Sequence, residues 1–321
     1  MTKMTVRSLI ALYCLAPTVN ARAGTCDSGS DGSDGVFNPL ASVQIDLSLA
    51  ATASWDTPSP VPGQGVYDPV QWAVVFKYSS ITIPSGVTIT FKNHPSGAPI
   101  VWLSQGDVLI EGSINLDGEA GHNLSQSPLP SRGGPGGFDG SVRGFGSSNS
   151  ASGGYGPGGA GLTQNSTCGA GGGYGTDGES GACSVTPRGR SYGSVNIVPL
   201  VGGSGGGGSD ISGTSGGGGG GAIIIAAGIE MVPATITLSG PSSSLTTRGG
   251  IGATIGSIGG GGGSGGAVRL VANTVTGAAS SLNASGGFGP FGSADGGTGR
   301  IRIDAISLSG LAGSSSPNYT T

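Results

Sequence analysis

Hydrophobic positions in this chain come in short bursts, set apart either by tight turns or by long glycine tracts. Val43 to Leu47 alternates apolar and polar residues as a half-buried strand does. Pro58 to Pro69 is too rich in proline for a regular element. The densest strand signal follows: an apolar run at Trp72–Phe76, then Ile81–Ile83, a Pro84-Ser85-Gly86 turn and the alternating Val87–Phe91. A second turn at His94-Pro95-Ser96-Gly97 leads into Ile100–Leu103, Gly106–Ile110 and Ser113–Leu116. No stretch beyond the N-terminus has sustained helical periodicity.

One unit recurs: an apolar strand, a short turn, a second strand, then glycine. It occurs at residues 98–118, 221–240, 266–287 and 299–310. Four copies exceed the roughly three that a stacked repeat needs for stability. Short strands with corners between them predict an all-β chain wound as a parallel, right-handed β-helix. The competing fold, an antiparallel sandwich, calls for longer strands joined by Asn-Gly or Asp-Gly hairpin turns. Between Gly118 and Gly221 the strand signal fades, apart from Tyr192–Leu200, and glycine, serine, proline and isolated aromatics replace it. Either this is loop, or glycine lets extended strands pack more closely than any residue with a side chain permits.

Composition sharpens the second option. Seventy of 321 residues are glycine and only 9% are charged, against about 7% and 25% in ordinary domains. So little charge argues against a solvated coil, and the glycines lack the G-X-Y period of collagen. Residues 1–23 read as a signal peptide: Lys3 and Arg7, an apolar segment from Leu9 to Ala16, and an Ala21-Arg22-Ala23 cleavage site. Its removal leaves ten basic against seventeen acidic residues, a balance that disfavours nucleic acid and anionic membranes as partners. No later stretch is long and apolar enough for a transmembrane segment. The organisation expected is a linker at 24–36, a first β region at 37–117, a glycine-rich insertion at 118–220, further coils at 221–312 and a flexible tail at 313–321.

Candidate chemistry is sparse. Asp117, Glu119 and His122 are the nearest approach to a catalytic or metal cluster, and paired carboxylates can serve as acid and base in polysaccharide hydrolysis. One loop rarely builds a whole site, so a solvent-facing loop is the first reading and the chain is expected not to be an enzyme. No cofactor is expected; Asp27, Asp31 and Asp34 resemble a structural calcium loop in composition, without the EF-hand spacing. The glycine tracts run into strands and no Gly-Lys-Ser/Thr follows them, which excludes a phosphate loop. Cys168 and Cys183 flank a glycine-rich loop that a disulfide would constrain, leaving Cys26 unpaired or bonded between chains. Tyr155, Tyr174 and Tyr192 read either as packing anchors or as surface platforms for sugar rings. Asn123, Asn165, Asn283 and Asn318 head N-glycosylation triplets.

The grammar of glycine block, apolar strand, second strand and more glycine, at Gly217–Gly240, Gly259–Gly287 and Gly296–Gly310, resembles the glycine-rich parallel β-helix proteins of bacterial surfaces and secretions. The long glycine blocks are also similar to the polyglycine-sandwich tip adhesins of some bacteriophage tail fibres. The resemblance implies a secreted or cell-surface structural protein: a fibre or matrix subunit or an adhesin, self-associating into a homopolymer and facing cell-surface glycan. The alternatives are a polysaccharide-binding or polysaccharide-degrading protein and a phage-type receptor-binding tip.

Overall fold

In a computed structural model, residues 26–123, 129–142, 152–161, 168–181, 187–209, 213–230, 232–256, 258–278, 281–290, 294–312 and 315–321 are described. Among them the strands are β1 (Gly35–Phe37), β2 (Val43–Asp46), β3 (Ala51–Thr52), β4 (Val66–Asp68), β5 (Ala73–Ile83), β6 (Thr88–Lys92), β7 (Ile100–Ser104), β8 (Val108–Ile110) and β9 (Ser113–Asn115). After a long glycine-rich stretch come β10 (Ala222–Ala227), β11 (Thr235–Leu238), β12 (Ser244–Thr246), β13 (Thr254–Ile255), β14 (Ile258–Gly259), β15 (Ala267–Ala278), β16 (Leu282–Asn283) and β17 (Arg300–Ala312). Among the described residues helix is confined to short 3₁₀ turns such as Leu47–Leu49.

The chain is all-β and mostly parallel, but the expected β-helix is corrected to a closed barrel with an added parallel sheet. The main sheet runs β5-β7-β10-β15-β11-β8 and closes because β8 also pairs with β5. Closure comes from two long strands that the sequence pattern splits. β5 pairs with β7 over Val74–Tyr78 and with β8 over Ile81–Ile83. β15 does the same, with β10 over Ala267–Val271 and with β11 over Thr274–Gly277. The polar letters at Lys77–Ser80 look like a corner, yet Lys77 is buried, its Nζ donating to the Thr57 carbonyl. A strand that stays extended through such a position takes two partners in succession, and six strands then form a ring. Outside the ring, β17 extends β15 in parallel, β1 lies parallel on β5 and β4 antiparallel on β5. β4 also shows that the Pro58–Pro69 stretch holds a strand.

A second, five-stranded sheet, β16-β12-β9-β6-β2, is wholly parallel. Its Ile89, Ile114, Leu245 and Leu282 point into the same core as Phe76, Tyr78, Trp102, Ile225 and Leu270. The opposite faces of β7, β10 and the first half of β15 are also covered, by Tyr174, Ile197 and Leu200. Burial on both faces explains why β10 reads as an unbroken AIIIAA rather than an alternation. Tyr192–Leu200, which reads as a strand, forms none; it serves as this outer cover. One ladder crosses every layer of the rear half: Phe37, Ile81, Val108, Ile236, Val275 and Leu308 sit in register. Its four inner members are fully buried, each worth roughly 1.5–3 kcal/mol.

The glycine tracts form a lattice in which successive amides turn to different neighbours. From Ser215 to Ala222 the N–H groups donate in order to His122 O, Ser141 Oγ, Gly261 O, Glu119 O, Phe138 O, Ser264 O, Leu116 O and Pro135 O, all at 2.7–2.9 Å. Each neighbouring segment is met every third residue: 122, 119 and 116; 141, 138 and 135; 261 and 264. That is the period of a polyproline-type extended helix, which has no internal hydrogen bonds and must find partners outside itself. Gly260 to Gly266 repeats the pattern, stepping through Ala253, Gly250 and Thr247 on one side and Ala294 and Gly297 on another. The lattice therefore draws on tracts both inside 118–220 and beyond it, so the stretch is not a self-contained insertion.

Both expected flexible ends are corrected among the described residues. In the 24–36 stretch, Asp34 is buried and accepts the N–H groups of Gly63, Gly65 and Lys77. The hydroxyls of Ser28 and Ser30 donate to the Ser104 and Tyr78 carbonyls. In the tail, Ser316 pairs with Asn283 and Thr320 with Arg302, which caps part of the last layer.

Candidate functional site

A depression carrying titratable groups lies where the five-stranded sheet meets the glycine lattice. It encloses about 310 Å³ and is lined by Gln44 of β2, Thr90 to Lys92 of β6, Asn93, Asn115 of β9, Asp117, Glu119 and Arg132. Neighbouring strands build it: β2, β6 and β9 lie side by side in parallel, Gln44 pairs in register with Thr90, and β6 and β9 run out into Lys92–Asn93 and Asn115–Asp117 at the same rim. The lattice tracts through Asp117–Glu119 and Arg132–Pro135 supply the opposite wall.

Its two carboxylates are each held by a donor. Asp117 takes Arg248 Nη2 at 2.7 Å, Arg248 Nε at 2.9 Å and the Arg248 amide at 2.7 Å. Glu119 accepts the Arg132 amide at 2.9 Å. Lys92 donates to Asp46 at 2.8 Å, and this hydrogen bond, with that of Ser48, lowers the Asp46 carboxyl to about 2. The polar side chains of Gln44, Asn93 and Asn115 complete the lining, while the Phe91 ring turns to the core beside Trp102. Paired donors and acceptors of this kind match the hydroxyls of a sugar.

The structure separates the three candidate catalytic residues by role. Asp117 and Glu119 share the groove, whereas His122 is absent from its lining. The His122 amide donates to Ser215 Oγ and its Nδ1 lies 3.3 Å from the Leu129 carbonyl. All three brace neighbouring lattice tracts. No group of three or more His, Cys, Asp or Glu able to hold a metal occurs among the described residues. In the Asp27–Asp34 loop, Asp27 and Asp31 accept the amides of Gly29 and Ser33.

Comparison with family models, curated proteins and solved structures finds no match. The site therefore rests on its own geometry.

Of the two readings of the tyrosines, the surface one is corrected for Tyr174, a buried anchor, while Tyr192 is a partly buried one. Tyr174 is fully buried, and burial pushes its hydroxyl up to about 12, against the opposing pull of Arg300, whose guanidinium lies 5.5 Å from the ring centroid. Tyr192 donates to Gly202 O at 2.6 Å and accepts from Ser204, and burial raises its hydroxyl well above the ordinary range. Glycine leaves no side chains to fill a tract's flank, so large rings wedge there instead. Tyr155 alone of the three is half exposed, at 51%.

Cys26 and Cys168 are buried and each is disulfide-bonded, so the unpaired reading of Cys26 is corrected; Cys183, the expected partner of Cys168, lies outside the described residues, as does Asn165. Sequence reasoning missed Gln44, Lys92 and Arg132 of the groove. Gln44 lies within β2 and Lys92 ends β6, a signal that becomes legible only once β2, β6 and β9 are known to be neighbours.

Among the described residues no helix is long and apolar enough to cross a membrane.

Proposed function

We propose that the protein is a secreted or cell-surface structural protein, an adhesive or fibre subunit that acts without catalysis. The observation that carries this reading is the glycine lattice. It holds backbone against backbone and is built on the same layers as the apolar barrel, so a stretch with the composition of a loop becomes a stiff, charge-poor body. Rigidity of that kind suits a part that bears load or presents a surface. The likeness of the glycine-block grammar to bacterial surface proteins and phage tip adhesins points the same way. In the groove the carboxylates are tied to Arg248 and to the Arg132 amide, the arrangement of a fixed recognition surface rather than of groups that trade protons.

The groove favours cell-surface glycan as the contact. The test is adhesion of the purified chain, without residues 1–23, to immobilised polysaccharides. Alongside it, Asn115→Ala with Gln44→Ala removes two amides without breaking an ion pair. Binding weakened about tenfold or more by the double variant, with the polymer left intact, supports the reading. Release of reducing ends by the wild type, lost in Glu119→Gln, would replace it with the degrading-enzyme alternative.

A further inference from the structure

We infer that the rear half of β17 is a docking edge for a second copy of this chain, whose β1 it takes in parallel, giving a head-to-tail assembly. The inference deepens the fibre reading and rests on it.

The parallel pairings run in three columns, and their ends differ. A front column runs through β7, β10 and the first halves of β5, β15 and β17. A rear one runs through β1, β8, β11 and the second halves of β5, β15 and β17, and the third is the five-stranded sheet. The front column ends at β17, whose Arg302 is covered by Thr320; the column of the five-stranded sheet ends at β16, covered by Ser316. In the rear column the last strand is β17 from Ile306 onward. It pairs with β15 on one side, Ser307 with Thr274 and Leu308 with Val275. Among the described residues no strand lies on its other side. Ile306 and Leu308 are 48% and 41% exposed there.

At the opposite end of this column lies β1, paired among the described residues with β5 alone, with Val36 67% exposed. The two ends belong to one ladder. Phe37, Ile81, Val108, Ile236, Val275 and Leu308 follow one another in register through strands that all run parallel. Placing the β1 of one copy on the β17 of another repeats the step already made five times inside each chain. Leu308 then meets Phe37, as Val275 meets Leu308 within the chain. Neither edge carries a charge between Gly35 and Phe37 or between Ile306 and Gly310, so nothing blunts the pairing as edge lysines commonly do. The surfaces are different patches of one molecule, a heterologous contact that propagates rather than closing as a two-fold dimer does.

Light scattering and sedimentation of the full mature chain over a concentration series test this. The wild type should form oligomers that grow with concentration. Leu308→Lys and Val36→Lys change exposed residues, so each should retain the wild-type circular dichroism and melting temperature while its association weakens at least tenfold. Mixed together they should give heterodimers and nothing larger, because one open β17 edge and one open β1 edge survive between them. A monomeric wild type at all concentrations, association untouched by either lysine, or long oligomers from the mixture overturns the interface. Polysaccharide adhesion measured on the same samples separates the two readings: adhesion by a monomeric wild type defeats the interface and leaves the adhesive role standing.

Discussion

At the scale of single residues, the side chains that matter most for stability are polar ones placed among backbones. Asp34 is the sharpest case. Its carboxylate accepts from Gly63 at 2.9 Å, Gly65 at 3.1 Å and Lys77 at 2.7 Å, and the side chain is buried. In this way it fastens the N-terminal segment and the loop before β4 to the outer flank of β5. Asp34→Ala leaves the buried Gly65 and Lys77 amides without a partner, the exposed Gly63 amide turning to water, and each buried unsatisfied group costs about 1–3 kcal/mol. We expect a loss of roughly 3 kcal/mol or more in denaturant unfolding, with Asp27→Ala, whose one bond to Gly29 is exposed, nearly silent. From the sequence the two aspartates look alike. Both sit in the same Gly/Ser/Asp run, and only the fold shows which one is enclosed.

At the scale of elements, strands were legible and their joins were not. Residues such as Ile81-Thr82-Ile83 and Val108-Leu109-Ile110 declare themselves by β-branching and alternation. The passage from Phe76 to Ile81 without a corner does not, because a buried lysine with a carbonyl partner looks like a turn residue on paper. The glycine tracts were harder still. A glycine carries no side chain, so its surroundings leave no mark on the sequence; the lattice shows itself only in the three-residue rotation of hydrogen-bond partners. This makes the tracts testable residue by residue. A Cβ on Gly206 would overlap the Gly261 carbonyl oxygen, whereas one on Gly207 lies 3.3 Å from the Ala160 methyl, its nearest neighbour. Gly206→Ala should therefore unfold or strongly destabilise the protein, and Gly207→Ala should change the melting temperature by only a few degrees. Equal tolerance at the two positions would mean that the tract is ordinary loop.

At the scale of the whole molecule, the barrel, the second sheet and the lattice are interleaved along the chain and cannot be separate units. The chain leaves β9 for the lattice, returns for β10 to β12, goes back through 247–266, returns for β15 and β16, and passes through 284–299 before β17. At each crossing the hydrogen bonds continue without a gap: Gly221 N–H to Leu116 O, Ala267 N–H to Gly221 O, and Arg300 N–H to Gly266 O. Glycine tracts gain little from hydrophobic burial and lose more conformational entropy than any other residue. Their order has to be supported by the apolar layers to which each is joined. Leu245, fully buried in β12, is remote in sequence from the 260–266 tract. Leu245→Ala should cost about 2–5 kcal/mol as a core truncation. If support works as argued, hydrogen exchange will show the amides of 215–221 and 260–266 losing protection by the same factor as those of β10 and β15. A lattice that kept its protection while the strands lost theirs would be stable in its own right, and the barrel would then be its neighbour rather than its foundation.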